Sequence, residues 1–403
     1  MVAGEGGGMR ETGLHQAPLD GIRTAIRDMT VENIADLAMA AAKVPDLIPL
    51  WYGEGDLVTP PFIRAAAARA LEAGMTFYVP DMRGLPALTA ALSDYQTRLH
   101  DRPIGIARST VTPGGMQAVV LALLLIAGPG DQVIYIEPQW PNIRSAIQMV
   151  GAGPVPFGLD YRAGEWRLDL ARLIAACTPA TRAIFLPTPS NPTGWVASEE
   201  EIRALLDFSR RTGIWILSDE VYARLYHHGE VAPSMLRYAE DEDRVMAANS
   251  FSKAWAMTGW RIGWLTHPGS VAGRLAAMTQ FLNSGTAGFV QAGAVAALTE
   301  GEGLVREIRA RCLRGRDLAH EILAPVERLE FGKPPQGGMY VFFSLRGEAD
   351  SRAACRLILE KAGVGLAPGH LFGTSSRRFL RACICRDPAG LETAFHRIRE
   401  ALG

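Results

Sequence analysis

Between about residues 105 and 265 short continuous apolar runs alternate with amphipathic helical stretches, and this alternation constrains the fold most. Gln132-Val133-Ile134-Tyr135-Ile136, Ala183-Ile184-Phe185-Leu186, Ile214-Trp215-Ile216-Leu217, Val245-Met246-Ala247 and Arg261-Ile262-Gly263-Trp264-Leu265 read as strands. A half-exposed strand alternates apolar and polar residues; these runs stay apolar, so both faces are covered. Between them, a helix runs from about Asn142 to Val150, and Ser198-Glu199-Glu200-Glu201 opens another with capping-box spacing that reaches about Arg211. The expectation is an α/β fold built on a mostly parallel sheet with helices on both faces.

A chain of 403 residues and 43.5 kDa exceeds one small core. We expect a large domain over residues 51–300 and a small α+β domain over 301–403, with residues 1–50 packing against the latter. Strands are expected near Met339–Phe343 and Phe379–Ile384, the second at a sheet edge, and helices near Arg352–Ala362 and Gly390–Ala401. Helical patterns run from about Gly269 to Leu323, and the last of them is expected to connect the two domains. A formal charge of −1 without a polybasic run argues against nucleic acid as a partner. The longest apolar run, Ala118–Ala127, is too short to span a bilayer and reads as a buried helix, so no membrane association is expected. Residues Met1–Gly13 are Gly-rich without an apolar segment and read as a tail rather than a signal peptide. Five cysteines without metal-type spacing, and scattered histidines, predict reduced thiols, a cytoplasmic location and no metal site.

The chemistry-bearing residues follow the strands, where open α/β sheets bind ligands. Thr112-Pro113-Gly114-Gly115-Met116 precedes the apolar helix; its glycines permit close backbone approach, and the helix start offers N–H groups to a phosphate. Trp140 follows the next strand and can stack on a flat ring or fill core. Asn191 is displayed between prolines in Pro189-Ser190-Asn191-Pro192-Thr193-Gly194, and Asp219 and Tyr222 close another strand in Ser218-Asp219-Glu220-Val221-Tyr222. Ser250, Ser252, Lys253 and Arg261 end the series. Lys253 is one of four lysines against 37 arginines, from 41 basic residues less the four. An amine can lose its proton and form a Schiff base with an aldehyde, whereas a guanidinium cannot. Together these groups meet the needs of pyridoxal 5'-phosphate. Asp219 would keep the pyridine nitrogen protonated, and Tyr222 and Asn191 would hydrogen-bond the phenolic oxygen. Ser250, Ser252, Arg261 and the Gly115 and Met116 amides would hold the phosphate, and Trp140 would cover the ring.

On these motifs, with Gly53-Glu54-Gly55-Asp56, Tyr78–Gly84 and Arg381, the chain from Leu50 to about Arg381 resembles the class I/II pyridoxal-phosphate-dependent aminotransferases of the aspartate aminotransferase superfamily. The resemblance implies fold type I: a mostly parallel seven-stranded sheet with helices on both faces, plus a smaller α+β domain. It implies Lys253 as the Schiff-base lysine and proton shuttle, and Arg381 as the bidentate clamp on the substrate α-carboxylate. Gly53 is expected to contact that carboxylate through its backbone, and Asn191 to serve the substrate as well as the cofactor. Tyr78 matches a tyrosine lent to the neighbouring subunit's phosphate site, implying a homodimer with shared active sites. The family's Gly-Glu-Pro-Asp-Phe stands here as Gly53-Glu54-Gly55-Asp56-Leu57, a less rigid loop, and Asp20-Gly21-Ile22-Arg23 lacks the family's usual wording.

The expected activity moves an amino group from an L-amino acid to a 2-oxo acid. No Arg or Lys lies between Arg274 and Arg306, and Met116 stands where one branch carries lysine, which disfavours a dedicated aspartate enzyme. Trp51, Tyr52, Met116, Trp140 and Trp255 point to a neutral or aromatic donor. A C–S lyase on the same scaffold shares every cofactor motif. A cofactor-sensing regulator would carry a DNA-binding extension, for which about fifty residues are too few. No Gly-x4-Gly-Lys-[Ser/Thr] nucleotide loop occurs.

Overall fold

The structure, a computed structural model, describes residues 21–27, 29, 34, 39, 41 and 44–403; the expected tail over Met1–Gly13 and the residue Asp20 lie outside the described residues. β1 (Ile48–Pro49) precedes helices Pro61–Glu72 and Pro86–His100. β2 (Ser109–Thr112), helix Gly115–Ile126, β3 (Gln132–Glu137), helix Asn142–Met149 and β4 (Gly153–Gly158) follow. The hairpin β5 (Asp160–Arg162) and β6 (Glu165–Arg167) leads to β7 (Thr181–Pro187), helix Glu199–Thr212, β8 (Trp215–Asp219), β9 (Val245–Ser250) and β10 (Gly263–Thr266). After helices Ala272–Asn283, Gly288–Glu300 and Glu302–Leu323 come β11 (Leu329–Glu330) and β12 (Tyr340–Leu345). Helix Ser351–Ala362, β13 (Val364–Gly365), β14 (Ala367–Pro368), β15 (Phe379–Cys383) and helix Pro388–Leu402 complete the chain.

The central sheet has seven strands in the order β2-β10-β9-β8-β7-β3-β4. All run parallel except β10, which pairs antiparallel with β9 and β2. Period-two alternation sends Val133 and Tyr135 of β3 to one core with Ala118, Val119 and Leu123 of helix Gly115–Ile126. Ile134 and Ile136 face the opposite core with Leu205 and Leu206 of helix Glu199–Thr212. Burying each of these Val, Leu and Ile side chains stabilises the fold by roughly 1.5–3 kcal/mol. Ser198 caps the latter helix with the expected reciprocal box to Glu201.

Two expectations about strands need correction. The fifth expected strand starts two residues late, at Gly263, because Arg261 takes a left-handed conformation with φ of 51° and so cannot extend the ladder. Gly263 is required there: a Cβ would lie 2.6 Å from the Asn249 carbonyl oxygen and 2.8 Å from Gly114 backbone. The strand carrying Arg381 is interior rather than at an edge, because the two-residue β14 covers it in a sheet of order β11-β12-β15-β14.

That second sheet packs on helices Ser351–Ala362 and Pro388–Leu402 through Phe343, Leu380, Ile358 and Phe395. β1 pairs parallel with β13, and Trp51 joins Phe342, Phe372 and Phe379. Among the described residues no helix is long and apolar enough to cross a membrane, and no group of His, Cys, Asp or Glu is arranged to hold a metal ion.

Candidate active site

Strand direction gathers the anion-binding candidates. Because β10 runs against its neighbours, its first residue lies beside their last ones: Gly263 pairs with Ser250 of β9 and with Thr112 of β2. Arg261, Gly114 and Ser250 therefore meet at one sheet edge. Gly114 has φ of 92°, and a Cβ on it would sit 2.5 Å from Nη2 of Arg261. The helix begins at Gly115 without a side-chain cap, so its first-turn N–H groups and positive dipole end face the edge. Ser250 Oγ donates to Ser252 Oγ at 2.8 Å and accepts from the Ser252 N–H at 3.1 Å, while Arg261 Nη1 donates to the Thr258 carbonyl at 2.8 Å.

Deeper in the crevice stand a carboxylate, a phenol and an amine. Asp219 ends β8 and accepts the Val221 N–H at 3.2 Å. Burial pushes its pKa up to about 6, against that hydrogen bond and the nearby Lys253 charge. Tyr222 is held well above the usual phenol range by burial and by Tyr340, whose hydroxyl lies 2.9 Å from its own, so it stays protonated. The Lys253 Nζ donates to the Gly53 carbonyl and lies 6.0 Å from the Tyr222 ring centroid. Burial lowers its pKa to about 8; Arg381 and Arg261 push the same way, while Cys383 and Glu54 oppose them. An amine so placed releases its proton far more readily than one in water.

Arg381 reaches the crevice from the second sheet. It is 2 % exposed, clamped between the rings of Tyr340 and Phe372 at 4.4 and 4.8 Å. Nη1 donates to Asn191 Oδ1 at 2.9 Å and Nη2 to the Trp51 carbonyl, while the buried Nε has no partner among the described residues. Asn191 sits in a loop closed by the Ser190 N–H on the Trp195 carbonyl and the Gly194 N–H on the Ser190 carbonyl.

One cavity of about 1280 Å³ joins these groups: Gly53, Gly115, Met116, Trp140, Asn191, Asp219, Tyr222, Ser250, Ser252, Lys253, Arg261 and Arg381 all line it. Gly114 stands behind Arg261 rather than on the wall. Tyr78 is not brought in; it is 82 % exposed beside Phe77 at 86 %. Of the aromatic residues expected at the pocket, Tyr52 and Trp140 line it. Trp51 and Trp255 do not, because each is buried among other aromatic side chains, Trp51 near Phe372 and Trp255 against Tyr95, Phe251 and Trp264. Sequence reasoning missed Tyr340, Phe372, Glu137 and Gln139, which also line the cavity. Gly55, the departure in the Gly-Glu-Gly-Asp loop, has its own reason: a Cβ would lie 2.9 Å from the Cys385 carbonyl oxygen.

The family described as aminotransferase class I and II matches residues 45–398. The chain belongs to that family. This aminotransferase is 31% identical over 368 residues to a probable aspartate/prephenate aminotransferase of Aquifex aeolicus, covering 90% of this chain and 92% of the relative. It is 28% identical over 378 residues to aromatic-amino-acid aminotransferase 2 of Thermococcus litoralis, covering 92% and 95%. A single mutant of Thermus thermophilus aspartate aminotransferase superposes with a TM-score of 0.88 at 30% identity, covering 95% of this chain and all of that one. Members of the family use pyridoxal phosphate, and the fold of this aminotransferase is their fold type I. Relatives of similar identity carry different substrate names, so substrate choice must be read from the cavity.

Proposed function

We propose that this aminotransferase binds pyridoxal 5'-phosphate in the 1280 Å³ cavity and transfers the amino group of a neutral or aromatic L-amino acid to a 2-oxo acid. The single observation that carries this reading is the half-buried Lys253 amine beside Asp219 and Tyr222, with Arg381 across the crevice. The residues fit the cofactor. The bare helix start at Gly115, Ser250, Ser252 and Arg261 suit a phosphate, Gly114 and Gly115 leave room for Arg261 and Ser250 to stand there, and Asp219 suits a ring N–H.

When bound, the cofactor supplies an aldehyde that condenses with amines and a ring that takes up the electrons released at the substrate Cα. Asp219 holds the ring nitrogen's proton, and Tyr222 and Asn191 orient the phenolic oxygen. Trp140 covers a ring face. Arg381, with an unpartnered Nε and both nitrogens of its fork on displaceable carbonyl oxygens, takes the α-carboxylate; Gly53 contributes backbone nearby. Lys253, freed of its bond to the Gly53 carbonyl, moves the proton between Cα and the cofactor's reactive carbon.

A second copy of the chain completes the site. Phe77, Tyr78 and Phe281 expose apolar rings at 86, 82 and 84 %, exposure that suits coverage by a partner. We assign Tyr78 to the partner's phosphate site in a homodimer. The five unpaired cysteines suit a reducing compartment such as the cytoplasm.

The test is a half-reaction screen. Protein loaded with the cofactor is mixed with each amino acid, and the visible absorption band is followed. Neutral and aromatic amino acids should bleach it without an oxo-acid acceptor, and Lys253→Ala should lack the band altogether. Release of pyruvate and ammonia in place of bleaching would point to elimination instead.

A further inference from the structure

One buried donor in the cavity wall has no task among the described residues. Gln139 is 3 % exposed and lines the cavity next to Trp140. Its backbone N–H donates to the Phe372 carbonyl at 2.7 Å, and its Oε1 accepts the Trp140 N–H at 2.7 Å. That second bond fixes the amide's orientation: turning it over would set Nε2 against another donor. Nε2 is therefore left within the cavity wall, closed off from bulk water and without an acceptor among the described residues. A buried polar group in that state is destabilising unless something arrives to pair it.

Two residues earlier, Glu137 lines the same cavity and is 7 % exposed. Oε1 accepts from the Tyr135 hydroxyl at 3.0 Å and Oε2 from the Thr374 N–H at 3.4 Å. Each oxygen uses one lone pair and keeps one. Glycine at 373 allows this approach, since a Cβ there would lie 2.7 Å from the Glu137 carboxyl carbon. Gln139 and Glu137 thus both lean on the segment Phe372–Thr374, whose Phe372 ring covers the Arg381 guanidinium. The wall beside the α-carboxylate clamp offers one unpaired donor and a carboxylate with spare acceptors.

We infer that Gln139 and Glu137 form a subsite for a carboxamide at the end of the substrate side chain. The amide carbonyl accepts from Gln139 Nε2, and the amide nitrogen donates to Glu137. The inference rests on the proposed aminotransfer at Lys253 and Arg381, and assigns the donor class to ω-amide amino acids, with glutamine the longer of the two common ones. A distal carboxylate pairs with Gln139 but meets the Glu137 charge. An apolar side chain leaves Nε2 as it is. The exposed Arg144 lines the cavity too and favours acidic side chains, so the test sets the two against each other.

The experiment measures binding of three unreactive α-deamino acids to the cofactor-loaded enzyme by calorimetry: glutaramate, glutarate and pentanoate. Glutaramate should bind about tenfold or more tighter than either other acid. Gln139→Leu should weaken glutaramate far more than pentanoate, and Glu137→Gln should move the preference towards glutarate. Gln139→Glu keeps an oxygen for the Trp140 N–H and loses the donor; it provides a folded variant in which the amide preference disappears. Glutarate binding as tightly as glutaramate would overturn the subsite and hand the choice to Arg144. So would a Gln139→Leu protein that loses all three ligands in parallel. If discrimination holds but no amino acid bleaches the cofactor band, the aminotransfer reading fails instead.

Discussion

Asp219 and Lys253 are each held away from their ordinary ionisation, and both costs serve the site. The folded protein favours protonated Asp219, with a pKa of about 6 against an ordinary 3.8. Below about pH 4 the group is neutral folded or unfolded and contributes no penalty. As pH rises through 6 the fold must carry a buried charge at a cost of about 3 kcal/mol. Asp219→Asn should therefore raise the unfolding midpoint of the cofactor-free protein at pH 7–8 but not at pH 4. The same change should reduce transamination by several orders of magnitude, since a neutral amide cannot hold the ring proton. Scanning calorimetry at both pH values, with the half-reaction rate, checks the pair of effects. Lys253 acts as a base only when neutral, so Cα deprotonation should rise with pH on a limb centred near 8. Tyr340→Phe removes the hydroxyl facing Tyr222 and should slow the half-reaction about tenfold with little change in folding. Lys253, Asp219 and Asn191 could be found in the sequence because each follows a recognisable strand and has a side chain the chemistry demands. Tyr340, Glu137 and Gln139 could not. Tyr340 arrives from a separate sheet, and nothing in the spacing of Glu137-Pro138-Gln139 says which amide nitrogen will lack a partner.

At the level of elements, the apolar runs disclosed a doubly covered sheet because every central strand is buried on both faces. They did not disclose β4, whose sequence Gly153-Pro154-Val155-Pro156-Phe157-Gly158 has two prolines that only an edge strand tolerates. β2 was equally hidden, since Ser109-Thr110-Val111-Thr112 is buried while largely hydroxylic. Nor does a hydrophobic pattern carry a direction, so the reversal of β10 was invisible. That reversal is what brings Arg261 to the carboxyl edge of its neighbours. Gly114 answers to the same geometry: its left-handed φ and the guanidinium 2.5 Å from any Cβ leave no space for alanine. Gly114→Ala should weaken cofactor affinity about tenfold or more, read by fluorescence titration, because Arg261 must move off the phosphate position.

For the whole molecule, we place the division between large and small units near residue 300, where helix Gly288–Glu300 gives way to helix Glu302–Leu323. The exposed rings of Phe77, Tyr78 and Phe281 lie on the large unit. If Tyr78 serves the partner's site, two inactive proteins can repair one another. Mixed Tyr78→Ala and Lys253→Ala subunits form dimers in which one site draws both wild-type residues. About a quarter of wild-type activity should return on reassembly, where independent sites would regain nothing.

One stretch of backbone touches two cations of the crevice: the Trp51 carbonyl accepts from Arg381 and the Gly53 carbonyl from Lys253. It is tied to the second sheet through the Leu50 carbonyl, which accepts the Cys383 N–H at 2.8 Å. An incoming carboxylate competes with one of these oxygens and an incoming aldehyde with the other. Residues 50–53 are thus the backbone segment that filling of the site should disturb. Their amide hydrogen exchange would register loading in a protein that carries no colour.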